Sequence, residues 1–119
     1  MEFNIRRETF LGGVQKTIGI VEKKTTLPIL NNLLVKIENN RLVISATDLE
    51  VGLIAEYEAN VVKEGKITLS ARKLYEMIRE MQGDVIHVMM DDRGVVRMTC
   101  QKAIYKIQGL AADDFPDIV

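Results

Sequence analysis

The sequence predicts an α+β fold in which two helices pack on one side of antiparallel sheets. The first observation behind this prediction is that the spacing of apolar residues changes between alternation and helical steps twice along the 119 residues. The second is that the order of predicted elements repeats: a strand, a helix and three strands, and then the same series again. The chain therefore contains a duplicated β-α-β-β-β unit, which repeats in pattern and not in residue identity.

The first unit opens with a strand and a helix. Residues Met1 to Arg7 alternate, with Phe3 and Ile5 on one face, as a strand requires. From Glu8 the apolar residues recur every three or four positions, which predicts a helix that ends before Pro28. Its predicted apolar stripe is Phe10, Leu11, Val14, Ile18 and Val21, and its opposite face carries Gly12, Gln15, Lys16, Gly19 and Lys23.

Three strands complete the first unit, predicted at Leu30 to Glu38, Arg41 to Thr47 and Glu50 to Val62. The third alternates most clearly, with apolar residues on one face and glutamates on the other. One face of its sheet should therefore be buried and the other exposed to solvent. The predicted inward residues are Val51, Leu53, Ala55 and Tyr57, and the outward residues are Glu50, Glu56 and Glu58.

The second unit starts after a turn at Gly65, with a short predicted strand from Lys66 to Leu69. Ser70 is predicted to cap a second helix, because serine accepts a hydrogen bond from an N–H group of the first turn. Gly83 is predicted to end that helix. Its apolar stripe is Leu74, Met77, Ile78 and Met81, and Arg72, Glu76 and Arg79 form its polar face. The closing strands are predicted at Val85 to Met90, Val95 to Cys100 and Ala103 to Gln108.

Composition predicts one soluble, cytoplasmic domain covering residues 1–119. The hydrophobic fraction of 47% is ample for a core, and a chain of this length buries about two thirds of its unfolded surface. The single Cys100 cannot form an internal disulfide, which favours a reducing compartment. The sequence has neither a secretory leader pattern nor an apolar run near the roughly 20 residues that span a bilayer.

The distribution of charge is more informative than the net charge of −1. Residues 6–24 and 70–83, which hold the two predicted helices and their flanks, contain eight Lys/Arg and four Asp/Glu, an excess of +4. The rest of the chain contains eight bases and thirteen acids, an excess of −5. Such a division lets one face attract a polyanion such as DNA while the other surfaces repel it.

The sequence contains few residues that could carry out enzyme chemistry. His87 and Cys100 are the one histidine and the one cysteine, and both are interpreted as structural residues of strands. Asp48 begins a turn, where aspartate is favoured anyway. No catalytic residue, metal site or cofactor is therefore predicted, although a small metal-dependent hydrolase using paired acids stays open as an alternative. The paired acids are Asp91, Asp92, Asp113 and Asp114, and the methionines interpreted as core residues are Met77, Met81, Met89, Met90 and Met98.

Four stretches of the chain are informative when they are taken together and in order: TLPILNNLLV (26–35), ISATDLEVGL (44–53), SARKLYEMI (70–78) and LAADDFPDIV (110–119). They resemble the N-terminal domain of the bacterial DNA polymerase III beta subunit, the sliding clamp. The resemblance runs nearly end to end and implies the DNA clamp fold, with paired helices lining the hole of a ring. It also implies a non-catalytic processivity factor that tethers the polymerase to duplex DNA, in which this chain is the first of three domains.

The resemblance also implies which residues face DNA. Lys24, in the loop after the first helix, and Arg72, at the start of the second, match basic positions of the family that point at the DNA backbone. Lys16, Lys23 and Arg79 lie on the same faces by helical geometry, and Gln15 adds a polar group. Such residues contact phosphates and read no base sequence. A protein-interaction module without a role at DNA is the other alternative.

In the family, the last strand pairs head to tail with the third domain of a partner subunit, which closes a homodimeric ring. Tyr105 and Ile107 match the apolar positions of that contact, and Lys102 and Lys73 match basic positions. If this strand is the edge, its apolar side chains are expected to be uncovered in the single domain. The alternative, in which Tyr105 and Ile107 point into the core, stays open. The resemblance places the polymerase and clamp-loader contacts in later domains.

Overall fold

The computed structural model describes residues 1–21 and 27–117. Within them the chain forms two α-helices, nine strands and two short 3₁₀ turns. The first five elements are β1 (Glu2–Arg6), α1 (Arg7–Val21), a 3₁₀ turn (Pro28–Asn31), β2 (Asn32–Glu38) and β3 (Arg41–Thr47). The rest are β4 (Gly52–Glu58), β5 (Asn60–Lys63), β6 (Gly65–Ser70), α2 (Ala71–Glu80), β7 (Val85–Met90), β8 (Val95–Cys100), β9 (Ala103–Gln108) and a 3₁₀ turn (Ala112–Asp114).

The described strands form two antiparallel sheets, in the orders β5-β1-β7-β8-β9 and β4-β3-β2-β6, so the predicted α+β class is confirmed. The two units exchange strands. The strand before α1 pairs with the first strand after α2, and the strand before α2 pairs with the first strand after α1. Each sheet therefore contains strands of both units, which ties the two halves of the domain together.

The prediction of one strand from Glu50 to Val62 is wrong, because the structure divides this segment into two strands, β4 and β5. β4 pairs with β3 in one sheet, whereas β5 pairs with β1 in the other. The chain passes between the sheets at Ala59, whose N–H donates to the carbonyl oxygen of Asn40 at 3.2 Å. Alternation continues through this corner, so the apolar pattern alone could not reveal it. Glu50 itself belongs to a turn in which Asp48 Oδ1 accepts from the N–H of Glu50 and Val51.

One hydrophobic core contains residues of both helices and both sheets. The buried face of α1 is rotated slightly from the predicted stripe, so that Leu11 and Ile18 lie half-buried at its margin. The reason is a close approach at Gly13, where an added Cβ would lie 2.7 Å from the Tyr57 ring. A residue without a side chain at this position lets the helix lie against β4. The buried residues of α1 are Phe10, Gly13, Val14, Thr17 and Val21.

The prediction for α2 is correct at the start of the helix and wrong at its end. Ser70 caps the helix, since its Oγ accepts from the N–H of Lys73 at 3.3 Å. At the other end, α2 stops at Glu80 and not at Gly83. Met81 adopts an extended backbone and its side chain is buried, so core packing ends the helix before the glycine is reached.

Arg7, the first residue of α1, donates hydrogen bonds to carbonyl groups at the carboxyl end of α2. Its Nε donates to the carbonyl oxygen of Ile78 at 3.1 Å, and its Nη2 donates to that of Arg79 at 3.0 Å. The last carbonyl groups of a helix have no partner within the helix, and a cation there also complements the helix dipole. The start of α1 therefore lies against the end of α2, and the two helices run antiparallel.

The Tyr57 hydroxyl beneath α1 is buried and has no hydrogen-bond partner among the described residues. An unpaired buried hydroxyl is costly, so we expect Tyr57→Phe to raise the free energy of unfolding, by up to about 1 kcal/mol. Urea denaturation of the two proteins measures the change. Tyr75→Phe, at a half-buried tyrosine, is the control and should have little effect. A loss of stability in Tyr57→Phe would reveal a hydrogen bond to this hydroxyl and contradict the prediction.

Candidate nucleic-acid interface

The outward surface of the two helices carries four of the residues expected at DNA. Gln15 and Lys16 are exposed on α1, and Arg72 and Arg79 are exposed on α2. Because the helices are antiparallel neighbours, Lys16, in the second half of α1, lies toward the Arg72 end of α2. Arg79 lies about 10 Å further along α2, seven residues at about 1.5 Å each. Lys23 and Lys24 lie outside the described residues.

Two of these cations rest on aromatic rings. Lys16 Nζ is 5.9 Å from the centroid of the Tyr57 ring, and Arg79 Cζ is 5.3 Å from that of Tyr75. Cation–π contacts of this kind hold the aliphatic stems against the protein while the charged groups stay in water. The two side chains are thus partly ordered before any ligand arrives, which reduces the entropic cost when they contact an anion.

The positive charge of the described helix surface is smaller than the sequence count suggests. Arg7 is used at the end of α2 and Arg6 lies in β1, so neither belongs to the outward faces of the helices. The remaining helix residues include four cations and three carboxylates, a net excess of one. The cations are Lys16, Arg72, Lys73 and Arg79, and the carboxylates are Glu8, Glu76 and Glu80.

The last strand, β9, is an edge of the five-stranded sheet. Tyr105 lies opposite Met98, and Ile107 lies opposite Val96, both buried, so Tyr105 and Ile107 face the core side. Ile107 is only 8% exposed and belongs to the core. The expectation that its side chain is uncovered is therefore wrong. Tyr105 is half-buried, and the large apolar side chain that this strand exposes is instead that of Ile104, which is 59% exposed on the outer face.

A groove of about 530 Å³ separates β9 from α2. Lys73, expected at a subunit contact, lies on its wall, and Lys102 is exposed in the turn before β9. Sequence reasoning missed several groove residues, because only the packing of α2 against the sheet edge places them together. They are Glu76, Met77, Glu80, Lys106, Gln108 and Leu110.

Three of the residues weighed for catalysis, His87, Cys100 and Asp91, have structural partners. His87 Nε2 lies 2.7 Å from Glu2 Oε2 across neighbouring strands. Cys100 is buried, and its Sγ donates to the carbonyl oxygen of Gln82 at 3.2 Å. Asp91 Oδ1 accepts from the N–H of Arg93 and Val95, which closes the turn between β7 and β8. In residues 1–21 and 27–117, no three His, Cys, Asp or Glu side chains lie together as metal ligands would.

Among the helices formed by the described parts of the chain, none has the length and apolar character needed to cross a lipid bilayer.

Comparison with known proteins gives one consistent result. The family described as DNA polymerase III beta subunit, N-terminal domain, matches residues 1–119. A protein named beta sliding clamp from Pseudomonas aeruginosa is 33% identical over 119 residues, which are 99% of this chain and 32% of that protein. Another of that name from Vibrio harveyi is 34% identical over 99% of this chain and 82% of its own sequence.

Solved structures agree with the sequence matches. The DNA polymerase III subunit beta from Pseudomonas aeruginosa superimposes with a TM-score of 0.92 at 30% identity, over all of this chain and 32% of that one. The beta subunit from the DNA polymerase of Streptococcus pyogenes superimposes with a TM-score of 0.95 at 18% identity, over all of this chain and 33% of that one, which shows the shared fold. The chain spans about a third of the length of most of these relatives.

Proposed function

The chain belongs to the DNA polymerase III beta subunit family, as its N-terminal domain, and we propose that it is the first of three domains of a ring-shaped DNA clamp. Such a ring tethers the replicative polymerase to duplex DNA in the cytoplasm and acts as a processivity factor. The observation that carries the proposal is the antiparallel helix pair, whose exposed outward face holds Lys16, Arg72 and Arg79. The mechanism is topological, so no bond is made or broken and no cofactor is required.

The helix face suits a ligand that must be held without being fixed. Lys and Arg contacts to phosphates are independent of base sequence and allow a protein to slide along the duplex. Lys23 and Lys24 complete the DNA-facing set, together with Gln15.

Ring formation also needs two different contact surfaces on each domain, because a head-to-tail interface joins unlike patches. The edges of β9 and β4 meet this requirement. Leu110, which follows β9, pairs with Thr68 of β6, so β9 lies beside β6. On the other side, Ala59 connects β4 directly to β5. β9 and β4, two of the four edge strands of the described sheets, therefore lie on opposite sides of the domain. An exposed Ile54 on β4 and an exposed Ile104 on β9 mark them.

We propose the β9 edge and the adjacent groove as the subunit contact of a homodimeric ring. Lys102 and Lys73 supply its charge, and Tyr105 its half-buried aromatic side chain. Ile107 supports the strand from the core side. The unpaired N–H and C=O groups of an edge strand are available for pairing with another chain. The polymerase and the clamp loader bind through the other domains.

The proposal predicts weak DNA binding by the 119-residue chain, which cannot encircle a duplex. We expect a dissociation constant of about 10⁻⁴ M or weaker, independent of sequence, with the logarithm of the association constant falling by about 0.9 per phosphate contact for each unit of log salt. Fluorescence anisotropy with two unrelated labelled duplexes, at several salt concentrations, measures both properties. Salt-resistant binding or a preference for one duplex would contradict the proposed contact with the DNA backbone. A complete absence of DNA binding at low salt would contradict it as well.

A further inference from the structure

The outer face of the five-stranded sheet contains an unusual row of side chains. Met89 of β7 lies directly opposite Arg97 of β8, which lies directly opposite Lys106 of β9. Directly opposed residues of antiparallel strands project from the same face of the sheet. Met89 is 41% exposed, so its interpretation as a core residue is wrong. The alternation of β7 places it outside, while Ile86 and Val88 point into the core.

Two cations facing each other across neighbouring strands repel one another. Arg97 and Lys106 are both exposed in the single domain, Lys106 on the strand proposed as the subunit edge, and neither makes an ion pair within the described parts of the chain. The other sheet has a pair of the same geometry, Lys36 opposite Lys66. There, Lys36 Nζ lies 3.4 Å from Glu38 Oε1, so that pair has an internal counterion. In the described parts of the chain, neither Arg97 nor Lys106 has a carboxylate within ion-pair distance.

The row forms part of a cavity of about 420 Å³, completed by Asp91, Arg93 and Val95. The lining of this cavity therefore contains three cations and one carboxylate. That carboxylate is already engaged, because backbone hydrogen bonds from Val95 and Arg93 hold the pKa of Asp91 below its usual value, with Arg93 and Arg97 nearby adding to the effect. The cavity thus keeps an excess of positive charge beside the apolar side chains of Met89 and Val95.

We propose that this cavity is a docking site for an acidic segment of a partner protein, with one or two carboxylates and a neighbouring apolar side chain. A carboxylate placed between Arg97 and Lys106 relieves their repulsion, and the arginine guanidinium groups match it with paired N–H donors. The apolar side chain packs on Met89 and Val95. A nucleic acid fits less well, because the cavity is near the lower end of the range of about 300–1,000 Å³ typical of small ligand sites, and the exposed Asp92 beside it repels phosphates.

The test uses a fluorescein-labelled eight-residue peptide of alternating glutamate and leucine, and its counterpart with glutamine, titrated with the 119-residue chain at low ionic strength. We expect saturable binding of the glutamate peptide, weakened by salt, and none of the glutamine peptide. Arg97→Glu should weaken binding by about tenfold, because an exposed ion pair contributes up to about fivefold and the reversed charge adds repulsion. This variant places opposite charges across β8 and β9, so its thermal stability should equal or exceed that of the parent.

Lys66→Glu is the matched control, since it reverses one member of the directly opposed Lys36–Lys66 pair on the other sheet. It should change peptide binding by less than about twofold, as expected for a distant screened charge. Three results would overturn the proposal: equal binding of the glutamine peptide, equally weakened binding in the two variants, or tighter binding of a duplex oligonucleotide that Arg97→Glu removes. The third would assign the cavity to nucleic acid.

Discussion

Ile107→Ser should lower the free energy of unfolding by about 2–5 kcal/mol, because it removes a buried aliphatic side chain and places a hydroxyl in the cavity that is left. Ile107 is 8% exposed and packs in the core beneath β9. Ile104 lies three residues earlier on the same strand but is 59% exposed on the outer face. Ile104→Ser is therefore expected to change stability by less than about 0.5 kcal/mol, as is usual for a surface substitution.

Urea denaturation of the two variants and the parent chain measures this difference with the same chemical change on the same strand. The result bears on the ring as well as on stability. A failure of Ile107→Ser to dimerise would not identify a contact residue, because the domain itself is weakened. In a protein that contains the further domains, Ile104→Ser and Lys102→Glu instead test the β9 edge with the core intact. Equal stabilities for the two serine variants would show that Ile107 is not a core residue.

Reversal of three charges proposed to contact DNA, with Lys24, Arg72 and Arg79 changed to Glu, should have the largest functional effect. In the ring-forming protein, we expect the time spent on DNA to fall by at least about tenfold and loading to be impaired. The slope of log affinity against log salt should become shallower by about 0.9 for each phosphate that the variant no longer neutralises. Charge reversal is preferred to neutral substitution, because several weak contacts can replace one another. Single-molecule residence on a nicked circular duplex measures the change directly.

The matched control reverses three exposed cations on the sheets, Arg41, Lys63 and Lys66. It changes the net charge of the protein by the same amount and leaves the helices unaltered. Residence on DNA should stay close to that of the parent, whereas a general electrostatic effect would shorten it equally in both variants. Unchanged residence of the Lys24, Arg72 and Arg79 variant on DNA, with dimerisation intact, would show that the helices do not contact DNA.

Local signals in the chain were sufficient for the elements and for part of the site. The three- and four-residue spacing of apolar residues predicted both helices, and Ser70 was identified correctly as the cap of the second. Alternation predicted the strands, although it could not show that one of them changes sheets at Ala59. Arg72 and Arg79 were placed correctly on an exposed helix face, because they lie opposite the apolar stripe of α2.

The sequence by itself therefore determined the class of the fold and the polar faces of the helices, since each depends on residues that are close together in the chain. It also determined the family, because the four stretches that carry the resemblance can be read without knowing their contacts. Tertiary structure alone decided the exchange of strands between the two units, the capping of α2 by Arg7, the burial of Ile107 and the meeting of Arg97 with Lys106. Arg7 and Ile78 are 71 positions apart. Contacts of that kind depend on which strands pair and which faces pack, and no local periodicity records them.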